Sequence, residues 1–283
     1  WKDDGAMVRT FQHDQRANVL WGIDQEFILS TRMNFERLVQ LNPGATVVAG
    51  YLKRAMEAEV KMLAEHDPSS ALLPQLQADD FAALRAAVKA RAGSESATII
   101  DELSESADIY RSQGSDGNAS NHQRSLLMKR HFMANYDAAS RRSSAPVRAM
   151  FRIGAYHAGR GLNPLNQYDI GNLASELAAS RGLESVHILV LAAGGTNNKW
   201  LPFMADKTAR VSPYDAKVEL DSVNAVPFLA HTLKDQWTVF DLHAFRSERA
   251  ARKNAGAGFE QLVFAYDYVV VVPQGHAAVG YTD

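Results

Sequence analysis

The sequence predicts an α/β fold, with a mainly parallel sheet covered by helices on both faces and a helical insertion. Residues 186–192 and 268–272 are apolar at nearly every position, so they read as strands buried on both sides, since a half-exposed strand would alternate. Stretches with helical spacing lie between such runs, and strands alternating with helices form parallel sheets. The 283 residues are 46% hydrophobic and 22% charged, an ordinary globular balance that can bury one sizeable core.

In chain order, residues 18–24 (NVLWGID) form an apolar run read as a first strand, presenting Asp24 and Glu26 at its C-terminal end. Leu38, Leu41, Val47, Leu52, Met56, Val60 and Leu63 recur at loosely helical spacing, broken by Pro43-Gly44 and ended by the turn Asp67-Pro68-Ser69-Ser70. Residues 79–91 and 94–110 continue the helical pattern, and residues 112–120 (SQGSDGNAS) read as a loop closing an insertion of about residues 45–115. Residues 122–140 form a helix with Leu126, Leu127, Met133 and Tyr136 on its apolar side, and residues 148–154 form a strand. A helix over 169–180 ends at Arg181-Gly182. The strand 186–192, a mostly helical stretch over 221–234 broken at Pro227, the strand 237–241, the helix 259–264 and the strand 268–272 complete the pattern. Residues 1–283 thus read as a single domain. Strands ending near Asp24, Gly154, Ala192 and Asp241 are expected in one sheet with their C-terminal ends on one side, and the insertion is expected as a lid beside the cleft there.

Composition excludes several classes of function. With no cysteine there is no disulfide, thiolate nucleophile or thiolate metal site, so a divalent metal would need His and carboxylate ligands. A formal charge of −2 and a pI near 6.5 give nucleic-acid binding no global electrostatic support. Lys129-Arg130 and Arg141-Arg142 read as solvated helix faces. No apolar run reaches membrane-spanning length. The chain starts at Trp1, and a signal directing it to the periplasm or outside the cell would have to lie upstream.

Open α/β sheets bind ligands beyond the carboxyl ends of their strands. The stretch 150–172 (MFRIGAYHAGRGLNPLNQYDIGN) therefore draws attention, because a strand runs into Gly154-Ala155-Tyr156-His157, a glycine-rich loop and a helix. Gly154 is expected to turn the backbone sharply, and Gly159 and Gly161 to permit close approach of a ligand. His157 then stands at a sheet edge as base, acid or metal ligand, or alternatively caps a turn. Arg124 either clamps an anionic group or polarises a carbonyl, or is a surface arginine. Tyr156 and Arg160 are substrate-binding candidates beside Gly154. His187, inside an apolar strand, reads as a satisfied core histidine. Gly194-Gly195 lacks the spacing of a nucleotide fingerprint, and no G-x-S-x-G elbow is present.

These motifs resemble a superfamily that groups the erythromycin esterases, the ChaN-type haem-associated lipoproteins and the TIKI/TraB-type peptidases. Gly154-Ala155-Tyr156-His157 resembles its second histidine element, and Arg124-Ser125-Leu126-Leu127-Met128 the arginine-to-methionine helix before it, with Ser125 where Asp is frequent. Leu20-Trp21-Gly22-Ile23-Asp24 resembles its Gly-x-Asp strand; Phe240-Asp241-Leu242 and residues 266–270 resemble its closing strands. The first histidine element has no counterpart, because His13 stands in Phe-Gln-His-Asp without a glycine or strand. The resemblance thus implies a chain lacking its first strand and His/Glu pair. It implies a hydrolase of ester or related acyl bonds, in which His157 activates water or orients substrate, Arg124 polarises the carbonyl or holds an acidic group, and Asp24 and Glu26 assist. No cofactor is expected, with a divalent metal as the alternative. His157 is expected to face a cleft within reach of Arg124. The alternative function is non-catalytic binding of a hydrophobic or haem-like ligand in the same cleft.

Overall fold

The structure, a computed structural model, describes residues 6, 8–11, 20–65, 67–198 and 211–278. His13 and the start of the expected first strand, residues 18 and 19, lie outside the described residues. The described residues form two compact units: a helical unit from Ile23–Met128, and a sheet-bearing unit containing residues 20–22, 129–198 and 211–278.

The helical unit contains α1 (Thr31–Leu41), α2 (Thr46–Glu65), α3 (Ala78–Ala87), α4 (Glu95–Gln113) and the first half of α5 (Gly117–Ser140). Residues 45–115, expected as an insertion, all fall within it. Its core joins Phe35 and Leu38 of α1, Val48 and Ala55 of α2, Leu73 and Leu76 of the following turns, Phe81 and Leu84 of α3, and Ile100, Leu103 and Ala107 of α4. The three- and four-residue steps put each set on one helix face. In α2 the buried stripe is Val48, Ala55 and Met62, seven residues apart, whereas Val47, Met56, Val60 and Leu63 are exposed. The larger side chains suggested a face rotated from the true one; the small Ala55 lies where α2 packs closely. The expected loop 112–120 shrinks to three residues, because Asp116 accepts a hydrogen bond from the Ala119 amide at 3.0 Å and starts α5 at once.

The sheet-bearing unit is helix-rich, with a small three-stranded sheet. It contains α6 (Ala155–Ala158), α7 (Ile170–Ser180), β1 (Ile188–Ala192), β2 (Thr196–Asn198), β3 (Val211–Pro213), α8 (Ala216–Asp221), α9 (Val226–Leu229), β4 (Thr238–Asp241), α10 (His243–Ser247), α11 (Arg249–Ala255), α12 (Ala257–Ala265) and β5 (Tyr268–Val272). Residues 221–234 were expected to be mostly helical. The helix instead precedes that stretch as α8, and Pro227 opens the short α9 rather than breaking a longer helix.

The order is β1-β5-β4, with β1 parallel and β4 antiparallel to β5. This corrects the mainly parallel sheet. Antiparallel β4 places Asp241 opposite Tyr268, which pairs with Ile188 at the start of β1. Ala192 and Asp241 therefore lie at opposite sheet ends, against the single-ended expectation. Residues 20–24 and 148–154 form no strand. An extended segment becomes a strand only when a neighbour pairs its amides and carbonyls. Here Trp21 and Phe151 instead pack their rings on Phe132 of α5, at 6.0 and 4.8 Å between centroids.

Helices cover one sheet face. Leu189, Val269 and Val271 pack against Leu220, Phe228, Phe259, Leu262 and Val263. On the opposite face Ile188, Val190 and Val239 are exposed, so among the described residues helices do not cover both faces.

Candidate functional site

The turn α6 places His157. Gly154 precedes it at φ −61° and ψ 147°, a conformation open to any residue, so Gly154 supplies no special bend. The turn closes through the His157 and Ala158 amides, which donate to the Gly154 carbonyl at 3.0 and 3.2 Å. Glycine is required instead at Gly171 in α7. A Cβ there would lie 2.2 Å from the Ala158 carbonyl oxygen, which lets the helix seat directly against the turn. We expect Gly171→Ala to destabilise the protein by about 1–3 kcal/mol through overpacking. A urea melt checks this, and an unchanged midpoint would rule out the close approach.

The seating brings Asp169, the N-cap of α7, to His157, with Nδ1 and Oδ2 2.6 Å apart. Asp169 is 1% exposed. Its Oδ1 accepts from the Ile170 amide at 2.7 Å, and the helix N-terminus favours its negative charge. Asn163, also buried, organises the loop between them. Its Nδ2 donates to the Tyr156 carbonyl at 2.9 Å and to Asp169 Oδ2 at 3.3 Å, while its Oδ1 accepts from the amides of Leu165 and Gln167, both at 2.9 Å. Both donors and both acceptors of that amide are thus used. A carboxylate can only accept, so the 2.6 Å contact puts a proton on His157 Nδ1 and leaves Nε2 with a lone pair in the neutral ring. His157 therefore bonds a buried carboxylate rather than capping a turn.

Tyr156 and Arg160 line an open cleft, together with Ala155, Leu162, Pro164, Val223, Leu262 and Tyr266. The lining is mostly apolar, and His157 is not part of it. The Tyr156 hydroxyl donates to the Ser222 carbonyl at 3.1 Å. The Arg160 guanidinium turns to Asp267, donating to Oδ1 at 3.1 Å and also to Oδ2.

Asp267, itself buried, is the hub of an ionic cluster whose cationic partners are partly exposed. It also accepts from the His187 amide at 2.8 Å and from Arg246 Nη2 at 3.0 Å, and His243 Nε2 lies 3.2 Å away. Burial alone would raise the Asp267 pKa, but the bonds from Arg160, the His187 amide and Arg246 hold it far below the usual carboxylate range. His187 has its ring nitrogens 2.7 Å from the Ala158 carbonyl and 3.0 Å from Ser185 Oγ, and burial lowers its pKa. It is the satisfied core histidine that its apolar strand suggested.

In the helical unit, Arg124 forks onto Asp24, Nε donating to Oδ1 at 2.8 Å and Nη2 to Oδ2. Glu26 Oε2 accepts from Ser30 Oγ at 2.7 Å and Asn34 Nδ2 at 2.6 Å. Two sequence candidates, Arg124 and Asp24, are thus brought together, and Glu26 is held separately. Asp169 and Asn163 were missed as site residues. The available signal was an acidic helix N-cap twelve residues after a histidine, across a glycine-rich loop. Among the described residues no group of three or more His, Asp or Glu side chains could hold a metal ion, and no helix is long and apolar enough to cross a membrane.

The architecture has a known counterpart. Over 98% of this chain and 73% of the other, it superposes on a histidine-to-asparagine mutant of the erythromycin esterase EreC in its open conformation, with a TM-score of 0.50 and 12% identity. The chain has an erythromycin esterase-like fold. A Bacillus cereus protein matches 96% of the chain and 70% of its own length at 12% identity, with a TM-score of 0.44. No protein-family model and no curated protein matches the sequence.

Proposed function

We propose that the protein is a hydrolase in which His157 activates water against an ester or related acyl bond. The observation that carries this reading is the 2.6 Å contact between His157 Nδ1 and the buried Asp169 carboxylate. Asp169 fixes the ring tautomer and stabilises the imidazolium that forms during reaction. Nε2 takes a proton from water as the water oxygen bonds to the acyl carbon. The tetrahedral oxyanion then collapses, the bond to the leaving oxygen breaks, and the imidazolium returns its proton to that oxygen, giving an acid and an alcohol. The likeness in fold to an erythromycin esterase supports an ester as the target bond. Gly154, Tyr156 and Arg160 enter the proposal as substrate-side residues of the His157 loop. Arg124, Asp24 and Glu26 enter it as candidates from the helical unit, where an Arg124 guanidinium would polarise a carbonyl or hold an acidic group.

One observation favours a second reading: the cleft beside Tyr156 is lined mainly by apolar atoms and does not include His157. This suits non-catalytic binding of a hydrophobic ligand. Hydrolysis of aryl esters of increasing chain length and of a macrolide lactone, with and without chelator, separates the two. Turnover by the intact chain that disappears in His157→Ala supports the hydrolase. Saturable ligand binding without turnover in either protein supports the binding reading. Loss of turnover with chelator would bring a metal into the mechanism.

A further inference from the structure

We propose that Tyr266, His187, Arg160 and Asp267 are positioning residues that hold the His157 turn in register with Asp169. This rests on the reading that His157 carries the chemistry. The turn α6 has four residues and few internal hydrogen bonds, so it is too short to persist unaided. It is instead pinned at both ends. The Tyr266 hydroxyl donates to the Ala155 carbonyl, and the His187 ring donates to the Ala158 carbonyl at 2.7 Å. The Arg160 amide donates to the Ala265 carbonyl at 3.1 Å, and its guanidinium grips Asp267. Asp267 also takes the His187 amide, so one buried carboxylate fixes both residues that hold the C-terminal end of the turn. Asn163 also bonds the Tyr156 carbonyl, and Gly171 packs directly on the Ala158 carbonyl. His157 lies within this anchored turn, and its 2.6 Å contact tolerates little displacement.

The pin differs from general stabilisation in what it controls. Loosening it should move the imidazole relative to Asp169 while the sheet and its helices stay folded. Tyr266→Phe removes one hydroxyl and keeps the ring, and Arg160→Lys keeps the charge but loses the two-pronged grip. In folded Tyr266→Phe we expect the Arg160 amide to exchange with solvent roughly tenfold faster, the loss of about one hydrogen bond. The downfield Nδ1 proton of the His157–Asp169 pair should weaken in the NMR spectrum of both variants. In Tyr266→Phe kcat should fall roughly tenfold with KM within about twofold, because the lost hydroxyl bonds the Ala155 carbonyl and not the substrate. Unchanged Nδ1 resonance and unchanged exchange in two folded variants would overturn the proposal. The NMR and exchange readouts need no turnover. A wild-type protein that hydrolyses nothing would therefore sink the hydrolase reading, while the spectra still decide the pin.

Discussion

His157→Ala is expected to lower ester turnover by roughly 100-fold or more, because a general base contributes about that much, and to lower the melting temperature as well, because the ring is largely buried and its loss takes a partner from the buried Asp169 carboxylate. Asp169→Asn is the more incisive companion. Asparagine is as good an N-cap as aspartate, so α7 keeps its start, at the cost of the bond that Asn163 donates to Oδ2. What changes is the partner offered to His157 Nδ1. An amide that turns its NH2 group towards the ring makes Nδ1 the acceptor and moves the proton to Nε2, where a base needs a lone pair. Loss of the correct tautomer costs up to roughly 10⁴-fold in hydrolases that use a carboxylate–histidine pair. Turnover per folded enzyme is to be measured beside thermal melts of both variants. Full activity in Asp169→Asn would show that the 2.6 Å contact serves only the fold.

The parts of the fold that were legible in the sequence are those in which local chemistry and tertiary packing agree. The strand at Tyr268–Val272 is a tyrosine and four β-branched valines between an acidic residue and Pro273, and it forms with its predicted bounds. α7 begins at Asp169 and ends near Gly182, which adopts φ +65° as a helix-ending glycine does. The failures occur where long-range pairing decides. Residues 148–154 carry strand-like composition but find aromatic packing on Phe132 instead of a ladder. The direction of β4 is invisible locally, since a strand of four residues reads the same beside a parallel or an antiparallel neighbour. The site follows the same rule. A glycine-rich loop after a short apolar run marked His157, because that signal lies within a few residues. Asp169 was seen only as a helix start, since its approach to His157 depends on Gly171 seating α7 against Ala158. The bond from Arg160 to Asp267 is invisible in the sequence because the two residues lie 107 residues apart.

Asp267→Ala is expected to give the largest loss of stability, about 3–5 kcal/mol, because it leaves the Arg160 and Arg246 guanidiniums and the His187 amide without their shared acceptor. For a chain of this size that corresponds to a fall in melting temperature of roughly 6–20 °C. The pH dependence has a definite sign. The folded carboxyl is held far below its ordinary value by Arg160, the His187 amide and Arg246, against the opposing effect of burial. A depressed acid contributes stability that is fully present above its unfolded pKa, about 3.9, and that is lost as pH falls from there towards the folded pKa. The wild type should therefore lose stability steeply below about pH 4. Asp267→Ala, already lacking this contribution, should show a shallower acid limb while melting lower at neutral pH. Pairing Asp267→Leu with Arg160→Met tests whether charge or volume matters. Apolar groups that fill the same space should recover part of the loss, because the Arg160 guanidinium is no longer left unpaired, while Arg246 and the His187 amide still lack their acceptor. Chemical melts of the three proteins between pH 2.5 and 8 decide the matter. A neutral-pH midpoint for Asp267→Ala within experimental error of the wild type, with an identical acid limb, would remove Asp267 as the centre of this cluster.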